Sequence, residues 1–246
     1  MSESRKLTGK VAIVFGGSRG IGAAAARRLA REGANVGVTY VSAADKAAET
    51  IRAIEKEGRT GFAIKADSAD PTAIRDAVTQ TVAQLGRLDI VVVNAGILRR
   101  GDLQAVSLQE LDLMLNVNVR GVFLAIQAAA AHLAEGGRVI TIGSNTAVRS
   151  SHRGSSVYAM TKAAVAVMVK GIAVDLAPRG ITVNNIQPGP TLTDMTSGYI
   201  DSITPTIPLT RVGGPDEIAG LIAYLASGES GYMTGSSLTI DGGMAL

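Results

Sequence analysis

The sequence contains no cysteine and no tryptophan, and only two histidines and three phenylalanines. Without cysteine the chain has no disulfide, no thiolate nucleophile and no thiolate-bound zinc. The two histidines, His132 and His152, are too few and too scattered for a metal site. The net charge is only +3 and no long basic run occurs, so the sequence lacks the basic surface and the aromatic side chains typical of nucleic-acid-binding proteins.

Long apolar runs are absent as well. The first ten residues are polar, unlike a signal peptide, and no uninterrupted apolar stretch reaches the roughly 18–20 residues of a membrane span. These features predict a cytoplasmic protein that binds neither membrane nor nucleic acid and holds no metal.

Glycine, in contrast, is abundant, with 29 residues spread over turn positions. Short runs rich in valine and isoleucine alternate with alanine-rich amphipathic stretches, a pattern typical of a parallel sheet covered on both faces by helices. The sequence predicts seven strands, at Val11–Phe15, Asn35–Tyr40, Gly61–Lys65, Asp89–Val93, Arg138–Ile142, Thr182–Gln187 and Ser237–Ile240. It predicts helices near 20–32, 44–57, 71–84, 107–133 (broken), 156–177 and 215–227.

The expected architecture is therefore one α/β domain over residues 1–246, built on a doubly wound, parallel seven-stranded sheet. One long irregular stretch, 188–213, contains four prolines and several hydroxyl side chains. Loops of that length in compact domains are usually functional, so we expect this segment to be a substrate lid.

A glycine-rich turn, Gly16–Gly22, joins the first strand to the first helix. Glycines in this position permit a tight turn and a close approach of the backbone to a diphosphate, which the helix N-terminus then stabilises. A tight turn without a ligand is the alternative. The cofactor-binding residues predicted here are Gly16, Ser18, Arg19, Gly20, Ile21 and Gly22.

The end of the second strand indicates which dinucleotide is bound. A site that selects NAD places a carboxylate there to hold the ribose 2′-hydroxyl. This chain has Tyr40-Val41-Ser42 instead, with no acid before Asp45. Arg19 can supply a cation for a 2′-phosphate and Ser42 a hydroxyl donor, so the sequence favours NADP(H), although Arg19 alone is equally a solvated surface arginine.

Tyr158 and Lys162 are four residues apart in a predicted helix and therefore share one face. A nearby ammonium lowers the pKa of a tyrosine from its usual value near 10 and suits it to acid–base catalysis. By spacing alone an ordinary surface pair is the better interpretation, because Tyr–Lys pairs are commonplace on helices. Ser144, at the end of the fifth strand, and Asn118, on the preceding helix, strengthen the catalytic interpretation.

Together these segments resemble the short-chain dehydrogenase/reductase family along essentially the whole chain, in particular its NADP(H)-dependent 3-oxoacyl-acyl-carrier-protein reductases and carbonyl reductases. The family motifs are present as Gly16-xxx-Gly20-Ile21-Gly22, Asn94-Ala95-Gly96, Tyr158-xxx-Lys162 and Pro188-Gly189. The resemblance implies a Rossmann-like fold and further cofactor-binding residues: Tyr40, Ser42, Asp67, Ser68, Asn94, Ala95, Gly96, Tyr158, Lys162, Pro188, Gly189, Thr191 and Thr193.

The resemblance also implies catalytic roles. Tyr158 is the proton donor, Lys162 holds the nicotinamide ribose and lowers the tyrosine pKa, Ser144 polarises the carbonyl, and Asn118 holds a water of a proton relay. A homotetramer is implied as well.

The chain departs from the family pattern at three points. Phe15 and Val93 replace a threonine and an asparagine that often stabilise turns, so the local packing must differ there. The spacing from Ser144 to Tyr158 is also one residue longer than usual.

The expected activity is NADPH-dependent reduction of a ketone or aldehyde, a reversible hydride transfer. Five cationic or titratable side chains near the expected pocket mouth leave open a 3-oxoacyl-thioester substrate, and they are equally compatible with solvated loops: Arg99, Arg100, Arg149, His152 and Arg153. A non-catalytic dinucleotide-binding regulator is the alternative from another class, but the complete catalytic set argues against it.

Overall fold

The computed structural model describes residues 5–150 and 153–246. Its centre is one seven-stranded sheet in which every pairing is parallel and the strand order is β3-β2-β1-β4-β5-β6-β7. The strands are β1 Val11–Phe15, β2 Asn35–Tyr40, β3 Gly61–Lys65, β4 Leu88–Val93, β5 Leu133–Ile142, β6 Thr182–Pro188 and β7 Ser237–Ile240. The predicted doubly wound, Rossmann-like sheet is confirmed.

Helices cover both faces of the sheet and form a separate apolar core on each. Residues of α1 and α8, such as Leu29 and Ile222, pack on one face, while residues of α3, α5 and α6, such as Ile74, Ile126 and Val169, pack on the other. The helices are α1 Gly20–Arg31, α2 Ala44–Lys56, α3 Pro71–Leu85, α4 Leu108–Leu115, α5 Gly121–Ala130, α6 Ser156–Leu176, α7 Ile200–Ile203 and α8 Pro215–Ala226.

Local sequence signals fix several helix ends. Asp70 accepts a hydrogen bond from the backbone N–H of Thr72 at 2.8 Å and caps α3, whose first residue is Pro71. Pro215 likewise opens α8, and the Glu217 carboxylate accepts from the backbone N–H of Gly214 at 2.8 Å. Proline costs nothing at such a position because the first N–H groups of a helix have no intrahelical partner.

The prediction was wrong over 131–137. The predicted helix 107–133 is broken, as expected, by one turn of π-helix at Asn116–Arg120 between α4 and α5, but it ends at Ala130. Strand β5 then begins at Leu133, five residues before the predicted start, and its pairing with β4 is irregular between Leu88 and Ile90. Gly136 and Gly137 lie within this strand.

Two helical stretches, 108–130 and 156–179, are long and apolar enough for a membrane span by length and composition alone. This corrects the expectation that no apolar stretch of that length exists, which considered uninterrupted runs only. Both stretches have one face in the core, where Ile126 and Val169 are buried. Their other faces expose apolar side chains, among them Val167 and Val174.

Candidate active site

A cleft of about 830 Å³ opens at the carboxyl ends of the strands. It spans the point where the chain order of the strands reverses, between β1 and β4, which is where ligands bind in open α/β sheets. Every residue of the predicted cofactor and catalytic sets lines this cleft, except Gly22 and Asn118. The structure thus brings together side chains from segments that are distant in sequence.

The glycine turn has little room for side chains. Gly16 has φ +75°, and a Cβ there would lie 2.9 Å from the Cα of Ala95. A Cβ on Gly22 would lie 2.1 Å from the carbonyl oxygen of Gly16 and 2.5 Å from Nδ2 of Asn94. The structure therefore places Gly22 behind the turn, where its small size lets α1 begin close to the strand end, rather than in the cleft.

A residue of β2 supports the glycine turn, at which Phe15 stands in place of the threonine common in the family. The backbone N–H of Gly16 donates to Oγ1 of Thr39 at 2.9 Å, and Nδ2 of Asn94 donates to the Gly16 carbonyl at 2.8 Å. Phe15 is buried in the core. The hydroxyl that accepts from the glycine turn thus comes from the neighbouring strand. This contact could be found only from the pairing of β1 with β2.

Tyr158 and Lys162 lie on α6 and face the cleft beside Ser144. Burial raises the pKa of Tyr158 to about 12, against a smaller downward effect of its hydrogen bond to Ser144. Nζ of Lys162 donates to the Ile142 carbonyl at 2.8 Å and lies 5.7 Å from the centroid of the Tyr158 ring. Burial lowers the pKa of Lys162 to about 8.

Burial, rather than the neighbouring lysine, is the main cause of the raised Tyr158 pKa in this geometry. The ammonium contacts a backbone carbonyl, and loss of hydration dominates both groups. Tyr158 is consequently a protonated phenol at neutral pH and a ready hydrogen-bond donor.

Asn118 is fully buried in the π-helical turn and connects three parts of the site. Its Oδ1 accepts from the backbone N–H of Ile97 at 2.9 Å, while Nδ2 donates to the Ile97 carbonyl at 2.9 Å and to Oγ1 of Thr161 at 3.2 Å. A Cβ on Gly96 would lie 3.4 Å from both Asn118 Oδ1 and Lys162 Nζ. Asn118 therefore holds the loop after β4 against α6 next to the lysine.

Two arginines of the predicted cationic cluster at the pocket mouth are held by other parts of the chain. Arg153 makes a bidentate ion pair with Asp102, with both N–O distances 2.9 Å. The Arg149 guanidinium donates to the backbone carbonyl of Leu246. His152 lies outside the described residues.

Arg99 and Arg100 line the cleft. The guanidinium of Arg100 stacks 4.3 Å from the centroid of the Tyr199 ring. Arg99 donates to the backbone carbonyl of Leu98 at 3.2 Å and is exposed. Neither contact removes the positive charge, so Arg99 and Arg100 keep the mouth of the cleft cationic.

The segment 188–213 folds back on itself and onto the glycine turn. Its two ends are joined where the backbone N–H of Leu192 donates to the Gly213 carbonyl at 2.9 Å. A Cβ on Gly20 would lie 3.1 Å from Cγ2 of Thr193, so the segment contacts the turn directly. Asp194 forms ion pairs with Arg19 at 3.2 Å and with Lys46 at 2.9 Å. The sequence analysis missed Lys46 because nothing in its own segment marks it.

Comparison with known proteins supports the interpretation of this cleft. The family model described as Enoyl-(Acyl carrier protein) reductase matches residues 16–245. The cyclic-di-GMP-binding biofilm dispersal mediator protein of Escherichia coli strain K12 is 41% identical, covering 96% of this chain and 97% of that protein. Versicolorin reductase 1 of Aspergillus parasiticus is 37% identical, with 99% of each chain covered. A 3-oxoacyl-acyl-carrier-protein reductase of Staphylococcus aureus is 38% identical, covering 96% of this chain and 98% of that protein.

Two solved structures share the whole fold. A short-chain dehydrogenase/reductase from Serratia marcescens is 50% identical, with a TM-score of 0.96 and coverage of 98% of this chain and 100% of that one. A short chain dehydrogenase from Burkholderia cenocepacia in complex with NADP is 47% identical, with the same TM-score and coverage. The fold and the cleft together define an oxidoreductase with an α/β nucleotide-binding fold. The chain belongs to the short-chain dehydrogenase/reductase family of oxidoreductases.

Proposed function

We propose that this chain is an NADP(H)-dependent carbonyl reductase that converts ketones or aldehydes to alcohols, reversibly. The observation that carries the proposal is one cleft in which the glycine turn with Arg19, the end of β2 without a carboxylate and the Ser144–Tyr158–Lys162 group lie together. Relatives named as reductases, and the neighbour in complex with NADP, support it.

The cleft suits a dinucleotide phosphate. The backbone of the glycine turn would hold the cofactor diphosphate, and Gly16 and Gly20 have positive φ values that a larger residue would strain. No carboxylate follows β2 before Asp45, while Arg19 lines the cleft there. Asp67 and Ser68 border the adenine end, and Asn94–Gly96, Pro188, Gly189, Thr191 and Thr193 border the remainder.

The catalytic residues act on the substrate oxygen. When bound, NADPH supplies the hydride. Tyr158, a protonated phenol with its pKa raised to about 12, donates its proton to the developing alkoxide, and Ser144 holds the carbonyl oxygen by a hydrogen bond. Lys162, with its Nζ 5.7 Å from the centroid of the Tyr158 ring, would hold the nicotinamide ribose, while Asn118 keeps the loop after β4 in place. In oxidation Tyr158 accepts the proton instead.

The Tyr158→Phe variant tests this mechanism. It removes one hydroxyl, so folding and NADPH binding should survive while turnover falls by about 10²–10⁴-fold or more. NADPH consumption should be measured against a panel of ketones, diketones and 3-oxoacyl thioesters. Tyr232→Phe is the matched control, since Tyr232 is fully exposed and lies outside the cleft. Near-normal activity of Tyr158→Phe would show that the assigned acid is wrong.

A 3-oxoacyl thioester is the second candidate substrate. The Staphylococcus aureus relative is named for that activity, and Arg99 and Arg100 line the mouth of the cleft. In that case the kcat/KM of Arg99→Gln should fall for an anionic 3-oxoacyl thioester or its carrier protein. The kcat/KM for a small neutral ketone should not change. Equal effects of this change on both substrate types would reject the thioester.

A regulator that binds a dinucleotide without turnover is the alternative from another class. The Escherichia coli relative is named as a cyclic-di-GMP-binding protein. Calorimetry with NADPH and with cyclic-di-GMP separates the two functions, because a regulator of that kind would bind cyclic-di-GMP and show no turnover with any carbonyl compound.

The assembly we propose is a homotetramer with two-fold symmetry. The side chains of Val167, Val174 and Phe123 are 67%, 74% and 43% exposed and lie on α6 and α5, where they form apolar surfaces without a partner in the described part of the protomer. Burying such surfaces favours association. Sedimentation at micromolar concentration should give about four times the protomer mass of 25.2 kDa, and a monomer would refute the assembly. We also propose that the enzyme acts in the cytoplasm.

The remaining part of the proposal concerns domain organisation. The whole chain acts as one catalytic domain, with 188–213 as a lid over the cofactor. Met195, Tyr199 and Ile203 of this segment line the cleft, so its movement would reshape the substrate pocket.

A further inference from the structure

Two cations of this chain converge on a single oxygen atom at the adenosine end of the cleft. Nη1 of Arg19 lies 3.2 Å and Nζ of Lys46 lies 2.9 Å from the same atom, Oδ2 of Asp194. The three residues come from different parts of the chain: the glycine turn, the first turn of α2 and the segment 188–213. All three side chains are half-exposed, so an anion from solvent can reach them.

The location identifies the anion. The glycine turn and Tyr40–Ala43 line the same end of the cleft, where the ribose of the adenosine lies if the diphosphate occupies the turn. The end of β2 carries no carboxylate that would hold a free 2′-hydroxyl. A phosphate carries more charge than a carboxylate and has three acceptor oxygens, so it satisfies two cations better than one carboxylate oxygen does.

We infer that Arg19 and Lys46 together bind the 2′-phosphate of NADP(H), and that Asp194 occupies this site as an internal competing anion that the phosphate displaces. This inference rests on the proposed cofactor and adds two residues that set its selectivity. Lys46 favours the phosphate by attraction, whereas Asp194 opposes it by competition for the same cations and by repulsion. NADH leaves the Asp194 contacts intact because it brings no charge to this site.

The two residues should therefore change selectivity in opposite directions. Removing the Lys46 charge should weaken binding of the phosphate-bearing ligand about five- to tenfold, within the range of a charge-assisted contact at an exposed site. Removing the Asp194 charge should strengthen it about threefold or more, because the phosphate no longer displaces a bound anion. Neither change should alter the affinity for a ligand that lacks the 2′-phosphate.

Calorimetry with 2′,5′-ADP and 5′-AMP isolates this site, since the two ligands differ by the 2′-phosphate alone and require no turnover. The variants are Lys46→Gln, Lys46→Arg, which keeps the charge and should restore the preference, and Asp194→Asn. Lys56→Gln is the matched control, an exposed lysine at the far end of the same helix. The same comparison with NADPH and NADH extends the result to the whole cofactor.

Each outcome has a distinct meaning. A preference for 2′,5′-ADP that falls in Lys46→Gln and rises in Asp194→Asn supports the inference. An unchanged preference in Lys46→Gln, or a uniform loss of affinity for both ligands in Asp194→Asn, overturns it, the latter because Asp194 would then only anchor the segment. If the wild type binds both ligands equally, the proposed NADP(H) preference is itself wrong and the inference falls with it.

Discussion

The buried ammonium of Lys162 should make the stability of this protein depend on pH in a way that one substitution reveals. Lys162 is only 4% exposed, and burial lowers its pKa from 10.5 to about 8. In the unfolded chain the lysine retains its ordinary pKa, so between pH 8 and 10.5 the unfolded state binds more protons than the folded state. The free energy of unfolding therefore rises with pH across this window.

The magnitude follows from the two pKa values. A shift of about 2.5 units means that the charged lysine destabilises the folded state by about 3 kcal/mol at pH 7. Between pH 7 and pH 9.5 this penalty should diminish by about 2 kcal/mol. Tyr158 contributes little in this interval, because its pKa is raised to about 12 and the ordinary tyrosine pKa is near 10.

Lys162→Met removes the titration while it retains an unbranched side chain. Urea unfolding of both proteins at pH 7, 8, 9 and 9.5, at one protein concentration, gives the difference in unfolding free energy at each pH. The substitution also removes the hydrogen bond to the Ile142 carbonyl, which changes the unfolding free energy by the same amount at every pH. The test is therefore how the difference in unfolding free energy changes with pH. Between pH 7 and pH 9.5 the unfolding free energy of the wild type should rise by about 2 kcal/mol relative to that of Lys162→Met.

Lys56→Met serves as the exposed control and should follow the wild type at every pH. Parallel curves for the wild type and Lys162→Met would show that the lysine is fully hydrated in the folded protein, and the desolvation argument would be wrong.

Three further predictions follow. Asp89→Asn should lower the free energy of unfolding by about 1–2 kcal/mol at pH 7, because the buried carboxylate accepts from one arginine, one lysine and a backbone N–H. The pKa of Asp89 is lowered despite the opposing effect of burial, so this stabilisation should decline as urea unfolding is repeated below the ordinary carboxyl pKa of 3.8. Gly22→Ala should abolish the thermal unfolding transition of the native fold, while Gly220→Ala, with its nearest contact at 3.7 Å, should not. Hydrogen exchange over 190–210 should slow when NADPH is added, and unchanged exchange at saturating NADPH would leave a rigid connecting loop.

Most of the sheet could be predicted because its strands have a local signal. The clearest cases are the central strands β1 and β4, short apolar runs that are buried on both faces of the sheet. The start of β5 has no such signal. Leu133–Gly137 contains a glutamate and two glycines, and it becomes part of the strand only by pairing with β4 through an irregular register.

The residues of the candidate site could be predicted as a set because their motifs are local in sequence, but their contacts could not. Thr39 supports the glycine turn from a different strand, and Asn118 contacts Ile97 and Thr161 in preference to the cleft. Ile97 and Thr161 are 21 and 43 residues away from Asn118 in sequence. Only the folded chain defines them.

Electrostatic roles are the least accessible to sequence because they depend on burial and on distant charges. The spacing of Tyr158 and Lys162 correctly places them on one face of α6, yet it contains no information on hydration, which controls both pKa values. The same holds for Asp194, which is 175 residues from Arg19 and 148 from Lys46. A glycine turn with one arginine indicates a phosphate site. The sequence does not show that a carboxylate of the chain itself, Asp194, pairs with the same cations and competes with the phosphate for them.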